Sequence, residues 1–283
     1  MTRLCADDIH EIAATMPAYE RRLRKVTGHS LRELALRACG YHDATLRLGF
    51  DDDPTVVVPV TSGKGIIEGF SDAVAAILNH IGFKAHVASR LDLAGLADAC
   101  ESGARMVLMA DDHSFNALNL FTRRVADNST ATGRGFATAL ELLAGPLQGR
   151  PVLVLGCGAV GRGAAILLAD LGARVGLLDR EVQKARALAA SISSSLELPV
   201  VIEDHLERVV SRYDLILDAT PAANIIAPSF VTPRTVISAP GVPCGLHPLA
   251  MADMASRLIH DRLQIGVATM AVEAWLPPPG SRA

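Results

Sequence analysis

Apolar and polar positions along the chain follow two different periods. Over residues 6–25 the apolar residues recur every three or four positions, which is typical of an amphipathic helix. Thr27-Gly28 interrupts this pattern, and Ser30 is placed to cap a second helix through Cys39. From residue 55 onward, short apolar runs alternate with helical segments, and this order predicts a parallel sheet with helical crossovers. The predicted elements are strands at 55–60, 84–88 and 105–110 and helices at 66–81 and 92–102.

The second half of the chain repeats this alternation after a helix predicted over residues 132–143. Gly145-Pro146 and Gly149 mark a domain boundary there. We predict an α/β protein in which residues 1–146 form N-terminal helices and a small parallel α/β substrate domain, followed by a Rossmann-type NAD-binding domain over residues 147–283. The later elements are strands at 152–155, 174–178, 199–202, 214–218 and 235–238, a last strand ending at 259, and helices at 164–171, 181–194 and 266–275.

The turn after the strand at 152–155 has the glycine spacing of a dinucleotide-binding site. Its first glycine allows a tight turn, its second lets a pyrophosphate approach the backbone, and its third lets the helix pack against the strand. The N–H groups and positive dipole end of that helix face the phosphates. The residues predicted to contact the cofactor here are Gly156, Gly158, Ala159, Val160 and Gly161.

Asp179 ends the next apolar strand, 23 residues after Gly156. At this position an acidic side chain accepts hydrogen bonds from the adenosine ribose hydroxyls. The same carboxylate repels a 2′-phosphate, so NAD is favoured over NADP. Arg180 weakens that preference without reversing it. The alternative is a glycine-rich turn in some other kind of α/β sheet.

The composition argues against a nucleic-acid-binding, metal-binding, membrane or secreted protein. Half of the 283 residues are hydrophobic, and the net charge of −3 with scattered basic residues gives no nucleic-acid footprint. Five cysteines without a CxxC pair suit a reducing cytoplasm, and they form no cluster with metal-ligand spacing. We therefore expect no bound metal. No apolar run reaches about 18 residues, so no membrane span is expected, and the N-terminus lacks a signal-peptide pattern.

Several segments follow directly after predicted strands. Residues 61–63 and 111–113 follow strands of the first half, and residues 219–224 follow a strand of the second half. Ligands in open α/β sheets bind beyond the carboxyl ends of the strands. In a Rossmann-type sheet the 219–224 turn lies on the nicotinamide side. These segments are the candidate ligand-binding loops, although each is also explained by ordinary turn chemistry.

Together these loops resemble the pyrrolysine synthase family of NAD-dependent dehydrogenases. The matching stretches run through nearly the whole chain in the family's order. They are residues 24–28, 58–63, 65–67, 108–112, 219–221, 223–224, 240–244, 265–266 and 268.

The resemblance implies a reaction and a cofactor. Members of this family oxidise the terminal amine of the methylornithine part of an Nε-linked lysine–methylornithine dipeptide and pass the hydride to NAD. After loss of ammonia, the α-amine closes the pyrroline ring of pyrrolysine. The implied partners are a small dipeptide-like substrate and a second copy of the chain, since the family forms homodimers.

The resemblance also implies roles for individual residues. Asp111 matches the family's acidic loop and is a candidate for binding or deprotonating the amine, with a helix cap or solvated loop acid as the alternative. Asp112 is expected to be that cap. Asp261 lies where the family carries a glutamate, as a base or an amine anchor. Leu4 matches a segment that closes over the ligand. The remaining implied contacts are Thr61, Ser62 and Asn224 for the substrate and Thr220, Pro221 and Pro240 for the cofactor.

Two other functions remain open from the residues alone. One is an NAD-dependent dehydrogenase acting on another small amine or amino acid. It would keep the glycine-rich turn and Asp179 but tolerate changes at Asp111 and Asp261. The other is an NAD-sensing protein without turnover, in which replacing Asp111 has no functional effect.

Overall fold

The computed structural model describes residues 4–41, 50, 53–196 and 198–277. The sequence also predicts a turn at 51–54 and a proline-rich tail at 277–283, and parts of the first and most of the second lie outside these residues. The helices of the N-terminal half are α1 (Ala6–Ile9), α2 (Ile12–Thr27), α3 (Leu31–Ala38), α4 (Phe70–Ile81), α5 (Asp92–Glu101) and α6 (Asn128–Ala144). Those of the second half are α7 (Ala159–Asp170), α8 (Val182–Leu196), α9 (Leu206–Val209), α10 (Pro248–Met251) and α11 (Gln264–Trp275).

The N-terminal helices form as predicted, with one added break between α1 and α2. Helix α2 ends at Gly28, whose φ of 77° is left-handed and suits a residue without a Cβ. Ser30 then caps α3 in a reciprocal arrangement. Its hydroxyl accepts from the Glu33 N–H at 3.1 Å, and the Glu33 carboxylate accepts from the Ser30 N–H at 2.7 Å. The predicted interruption and cap are confirmed.

The first sheet combines a parallel core with an antiparallel extension. Its strand order is β2-β1-β3-β4-β5, in which β1 pairs in parallel with both β2 and β3, and β4 pairs antiparallel with β3 and β5. The three predicted strands are confirmed. The prediction of a wholly parallel sheet missed the last two strands, because one alternates buried apolar residues with asparagines and the other is only three residues long. The strands are β1 (Pro54–Val58), β2 (Lys84–Val87), β3 (Met106–Ala110), β4 (Phe115–Asn119) and β5 (Val125–Asp127).

The second sheet is parallel throughout and has a Rossmann-type order. The strand order is β11-β10-β9-β6-β7-β8. The chain adds strands on one side of β6 up to β8 and then on the other side from β9 onward, which creates a switch point at the carboxyl ends of β6 and β9. The predicted strand at 199–202 shortens to two residues at the sheet edge. The strands are β6 (Pro151–Leu155), β7 (Arg174–Leu178), β8 (Val201–Ile202), β9 (Leu215–Asp218), β10 (Val236–Ala239) and β11 (Leu258–His260).

Helices α6 and α11 connect the two sheets. Helix α6 begins four residues before its predicted start, because the Asp127 carboxylate accepts from the Thr130 N–H at 2.9 Å and caps the helix there. The closing helix α11 is buried on nearly every side and packs against α3, α4, α6 and β4. The Ala274 carbonyl accepts from the Asn119 side chain at 3.1 Å. The domain boundary at residue 146 remains a prediction, since α11 follows it in sequence yet packs on elements that precede it.

The first turns of α6 and α7 lie in direct backbone contact. A Cβ on Gly133 would overlap the Val160 carbonyl oxygen and lie 2.6 Å from the Ala164 nitrogen. A Cβ on Gly163 would lie 2.6 Å from the Thr130 carbonyl oxygen. Neither position has room for a side chain, so the two helices are held together at the distance that glycine allows.

We therefore expect Gly133→Ala to force α6 and α7 apart and to destabilise the fold by roughly 1–3 kcal/mol, the usual effect of overpacking. Chemical denaturation of the purified protein measures this loss. Gly158→Ala is the matched control, because a Cβ there meets no atom within 4 Å. Equal stability of the two variants would contradict the close contact between the helices.

Candidate active site

One large cavity lies beyond the carboxyl ends of strands from both sheets. Its volume is about 500 Å³, within the range of small-molecule and cofactor sites. It receives residues from the loops after β1, β3, β9, β10 and β11, from the first turns of α6 and α7, and from the segment before α1. Both predicted halves of the protein therefore contribute to its walls. The polar and charged lining residues are Ser71, Asp111, Asp112, His113, Ser114, Asn128, Ser129, Thr132, Lys184, Thr220 and Arg262.

The glycine-rich turn forms the cofactor side of this cavity. Gly156 has a left-handed φ of 85°, as a tight turn out of β6 requires. Gly158, Ala159 and Val160 line the cavity, and a Cβ on Gly158 would project into open space. Gly161 packs beneath the turn, where a Cβ would overlap the Gly156 carbonyl oxygen. These residues fit a dinucleotide, because open space lies where a pyrophosphate approaches the backbone and the N-terminus of α7 begins there.

Asp179 lies at the end of β7, as predicted, and its carboxylate already accepts two backbone hydrogen bonds. One comes from the Cys157 N–H of the glycine-rich turn at 2.6 Å, and the other from the Glu181 N–H at 2.8 Å. Asp179 therefore ties the turn to the neighbouring strand. Next to it, Lys184 pairs with Glu181 at 2.7 Å and lines the cavity.

The predicted contacts near the nicotinamide side separate into two groups. Thr220, Pro221 and Pro240 line the cavity. Asn224 lies outside the lining, on an exposed turn with a φ of 60°. Its geometry is that of a turn former, a conformation that asparagine tolerates better than most residues.

Asp111 lines the cavity and is exposed to it. Its Oδ1 accepts from the His113 N–H at 2.7 Å and from the Ser114 N–H at 2.8 Å. These two hydrogen bonds hold the pKa of Asp111 below its usual value. The carboxylate is therefore a stable anion, suited to binding a cation and weak as a proton acceptor.

Asp112 connects two loops of the cavity wall. Its Oδ2 accepts from the Lys64 N–H at 2.6 Å. The expectation that Asp112 caps a helix is wrong, because β3 turns directly into the antiparallel β4 and no helix follows.

Thr61 and Ser62 are exposed and lie outside the cavity lining, which receives Val60, Gly65 and Ile66 from this loop instead. The Thr61 hydroxyl and N–H both donate to Asp92, at 2.6 and 2.7 Å. Asp92 thus holds the loop after β1. Asp92 also begins α5, at the predicted start of that helix, and no side-chain cap is present there.

Asp261 is buried beside the cavity but does not line it. It is 7% exposed, accepts from the Tyr19 hydroxyl at 2.7 Å and accepts from the Leu263 N–H at 3.1 Å. Burial raises the pKa of Asp261 and also that of Tyr19. In this position Asp261 joins α2 to the start of α11, away from a substrate in the cavity.

The residue after Asp261 does reach the cavity and holds the N-terminal segment. Arg262 lines the cavity, and its Nε lies 3.3 Å from the Asp8 carboxylate of α1. Leu4, just before α1, lines the cavity as well. The resemblance places Leu4 over the ligand. The ion pair between Arg262 and Asp8 holds α1, the helix that follows Leu4, at this side of the cavity.

Sequence reasoning missed the wall formed by Asn128, Ser129 and Thr132, because it placed the start of α6 at Thr132. The run of cap-forming residues at 127–130 was the available signal. It also missed Asp218, whose carboxylate accepts from the Thr220 N–H at 3.1 Å and hydroxyl at 2.7 Å and from the Gly245 N–H at 3.0 Å. An acid ending an otherwise apolar strand was the signal there.

Two features are absent from the part of the chain that the structure describes. No helix there is both long and apolar enough to cross a bilayer. No group of three or more His, Cys, Asp or Glu side chains there is arranged to hold a metal ion.

The glycine-rich turn at a switch point, opening on a cavity shared with a second α/β unit, defines a nicotinamide-dinucleotide-dependent dehydrogenase. Residues 126–239 match the family described as alanine dehydrogenase/PNT, C-terminal domain. Residues 8–126 match the family described as pyrrolysine biosynthesis protein PylD, N-terminal domain.

Two relatives match along nearly their whole length. The pyrrolysine synthase of Methanosarcina acetivorans is 31% identical over 270 residues, which cover 95% of this chain and 98% of the relative. The pyrrolysine synthase of Methanosarcina barkeri is 30% identical over 272 residues, which cover 95% of this chain and 97% of the relative. This chain belongs to the pyrrolysine synthase family, and it is an NAD-dependent oxidoreductase.

Solved structures with lower identity share the fold. Quinate dehydrogenase from Corynebacterium glutamicum, in complex with NAD, superposes with a TM-score of 0.54 at 17% identity, over 80% of this chain and 93% of that one. Shikimate dehydrogenase from Aquifex aeolicus superposes with a TM-score of 0.53 at 17% sequence identity, and the match covers 81% of this chain and 94% of that one. At this identity the likeness shows the α/β architecture alone.

Asp179→Ala is expected to weaken NAD binding about 10- to 100-fold, since charge-assisted hydrogen bonds contribute about 1.5–3 kcal/mol. Fluorescence titration with NADH measures the affinity, and thermal unfolding checks that the fold survives. Removing the carboxylate should also narrow the gap between NADH and NADPH affinities. Unchanged NADH affinity in a folded variant would remove the role in ribose binding.

Asp218 should leave a signature in the pH dependence of stability. Burial raises its pKa to about 6, opposed by hydrogen bonds from Thr220 and Gly245 and by the nearby His260. Between the unfolded pKa of ~3.9 and this value, the folded state holds a proton that the unfolded chain has released. The contribution of this group to stability is therefore greatest below about pH 4 and is lost as the pH rises through about 6.

Asp218→Asn removes that titration. The free energy of unfolding of the wild type, measured relative to the variant, should fall by about 3 kcal/mol between pH 4 and pH 7, at about 1.4 kcal/mol per pKa unit. Urea unfolding at several pH values gives this difference, and other titrating groups cancel in it. Parallel pH profiles would show that the folded-state pKa is not raised.

Proposed function

We propose that this chain catalyses the NAD-dependent oxidation of the terminal amine of an Nε-linked lysine–methylornithine dipeptide, followed by ammonia loss and ring closure to pyrrolysine. The observation that carries the proposal is the similarity to pyrrolysine synthases over 95% of the chain. The cavity supports it, because an anionic carboxylate and the glycine-rich turn share one enclosed space.

The proposed reaction balances without a further reactant. The terminal –CH2–NH3⁺ group loses a proton and a hydride, which gives an iminium carbon. The free α-amine of the methylornithine part adds to that carbon, and the original nitrogen leaves with the released protons as ammonium to give the neutral cyclic imine. Bound NAD supplies the hydride acceptor. We propose that Gly158, Ala159 and Val160 hold its pyrophosphate, that Asp179 binds its adenosine ribose, and that Thr220, Pro221 and Pro240 border its nicotinamide.

Asp111 is proposed as the anchor of the substrate's ammonium group. Its carboxylate stays ionised because two backbone N–H groups stabilise the charge. The lowered pKa disfavours transfer of a proton to it, so in this proposal the amine releases its proton to water. Binding the cation near the cofactor holds the reacting carbon in place, which is the larger part of the advantage that a bound substrate has over a free one.

The remaining residues predicted from the sequence have supporting roles in this proposal. Leu4 covers the cavity, and Arg262 holds its segment through Asp8. Thr61 and Ser62 act through the loop whose neighbours Val60 and Gly65 line the cavity. Asn224 shapes the turn after Thr220, and Asp261 secures the start of α11. The resemblance implies a homodimer, and the cysteine usage favours a cytoplasmic location; light scattering of the purified protein tests the first.

The decisive experiment supplies the purified protein with NAD and the synthetic dipeptide, follows NADH by absorbance, and follows the product by mass spectrometry. NADH together with a product that has lost ammonia and gained the ring supports the proposal. If NAD binds but neither NADH nor the ring product forms, the dipeptide is excluded as the substrate. A screen of other amines and amino acids would then separate a different dehydrogenase from a protein that only senses NAD.

Asp111→Asn should lower kcat/KM for the dipeptide about 10- to 100-fold, because it removes a charge-assisted contact worth about 1.5–3 kcal/mol. NADH affinity should stay within about twofold of the wild type, since Asp111 lies outside the glycine-rich turn. Asp170→Asn, an exposed carboxylate at the end of α7, is the matched control and should leave both quantities unchanged. Normal turnover in Asp111→Asn would reduce Asp111 to a structural residue of the β3–β4 turn.

A further inference from the structure

Asp218 stands at the carboxyl end of β9, directly beside the switch point of the second sheet. Its side chain is fully buried. Three groups donate to it, namely the N–H and hydroxyl of Thr220 and the N–H of Gly245. The donors come from two different loops, which follow β9 and β10. One carboxylate therefore joins the two loops that border the nicotinamide side of the cavity.

The fit around this carboxylate leaves no space for other side chains. A Cβ on Gly245 would overlap the Asp218 Oδ2. The backbone of Asp218 makes the same connection, since its carbonyl accepts from the Gly241 N–H at 3.1 Å. Both the main chain and the side chain of Asp218 thus hold the loop over residues 240–245 against the turn over residues 219–221.

The contact with Thr220 has a chemical consequence inside the cavity. An ionised carboxylate can only accept, so the single hydroxyl proton of Thr220 points to Asp218. With its proton engaged, the hydroxyl oxygen of Thr220, a residue that lines the cavity, has only lone pairs left for a ligand. An N–H donor is the matching ligand group, and the carboxamide of a nicotinamide carries one.

We propose that Asp218 is a positioning residue for the cofactor, which fixes the Thr220 hydroxyl as a hydrogen-bond acceptor and holds the two loops at the nicotinamide side in register. The proposal rests on NAD binding and not on the identity of the substrate. A buried carboxylate costs stability unless its partners compensate. The hydrogen bonds by which Asp218 joins the loops after β9 and β10 explain why a carboxylate occupies the end of this strand.

The test combines substitutions at both residues and measures NADH affinity by fluorescence, without any substrate. In Asp218→Asn the amide keeps the shape of the carboxyl, but its NH2 group cannot accept a hydrogen bond. It therefore faces a donor of Thr220 or Gly245 without a matching acceptor. Thr220→Val removes only the hydroxyl, and Thr220→Ser retains it. We expect Asp218→Asn and Thr220→Val each to weaken NADH binding about 2- to 10-fold, as for loss of a hydrogen bond between neutral groups, and Thr220→Ser to keep near-wild-type affinity.

Two further readouts separate positioning from a purely structural role. In steady-state assays KM for NAD should rise more than kcat falls in both weakened variants. The double variant Asp218→Asn/Thr220→Val should be clearly less than additive in NADH affinity, since both changes remove the same contact. Asp170→Asn serves as the control for purification and handling.

Three results would overturn the proposal. These are unchanged NADH affinity in Thr220→Val, full additivity in the double variant, and a lowered melting temperature of Asp218→Asn with unchanged NADH affinity. If Asp218→Asn does not fold, the Thr220→Val and Thr220→Ser pair still decides whether the hydroxyl acts as an acceptor for the cofactor. Absence of turnover with the dipeptide would contradict the proposed substrate but leave these binding results intact.

Discussion

The backbone contact between the first turns of α6 and α7 is the constraint on which the site depends. Helix α7 carries the glycine-rich turn, and the first turn of α6 carries polar residues of the opposite wall, so both helices begin at the cavity. Gly133 and Gly163 allow the two turns to meet without intervening side chains. Because α6 also follows directly from the first sheet, this contact sets the position of the glycine-rich turn relative to the loops of the first sheet that line the cavity.

The acids around the cavity divide according to solvation. Asp111 is exposed and held as an anion by backbone N–H groups, which suits the binding of a cation. Asp218 and Asp261 are buried and spend their hydrogen-bonding capacity on loops and helix ends. In both buried acids desolvation raises the pKa. Charge that meets a ligand therefore comes from the loop ends, whereas the buried acids order the backbone that carries those loops.

Much of the fold follows from local patterns. The apolar runs predicted the positions of nine strands closely enough to show two α/β units, and the break at Gly28 with its cap at Ser30 was predictable because capping is a local interaction. The antiparallel strands β4 and β5 were not predictable in this way. Strand β4 is stabilised by pairing with β3, and β5 by pairing with β4. Both strands also contact α6 and α11, and no short window of sequence reports these contacts.

For the site, the sequence by itself determined the glycine-rich turn, the acid at the end of β7 and the loops at the strand ends, because these depend on spacing along a strand and its following helix. Only the tertiary structure decided which loop residues face the cavity. It turned Asp111, Thr220 and Pro240 inward and left Thr61 and Asn224 outside. It also buried Asp261 against Tyr19 and joined Asp218 to Gly245. Such contacts join residues far apart in the chain, and they exist only after the sheets and helices have packed.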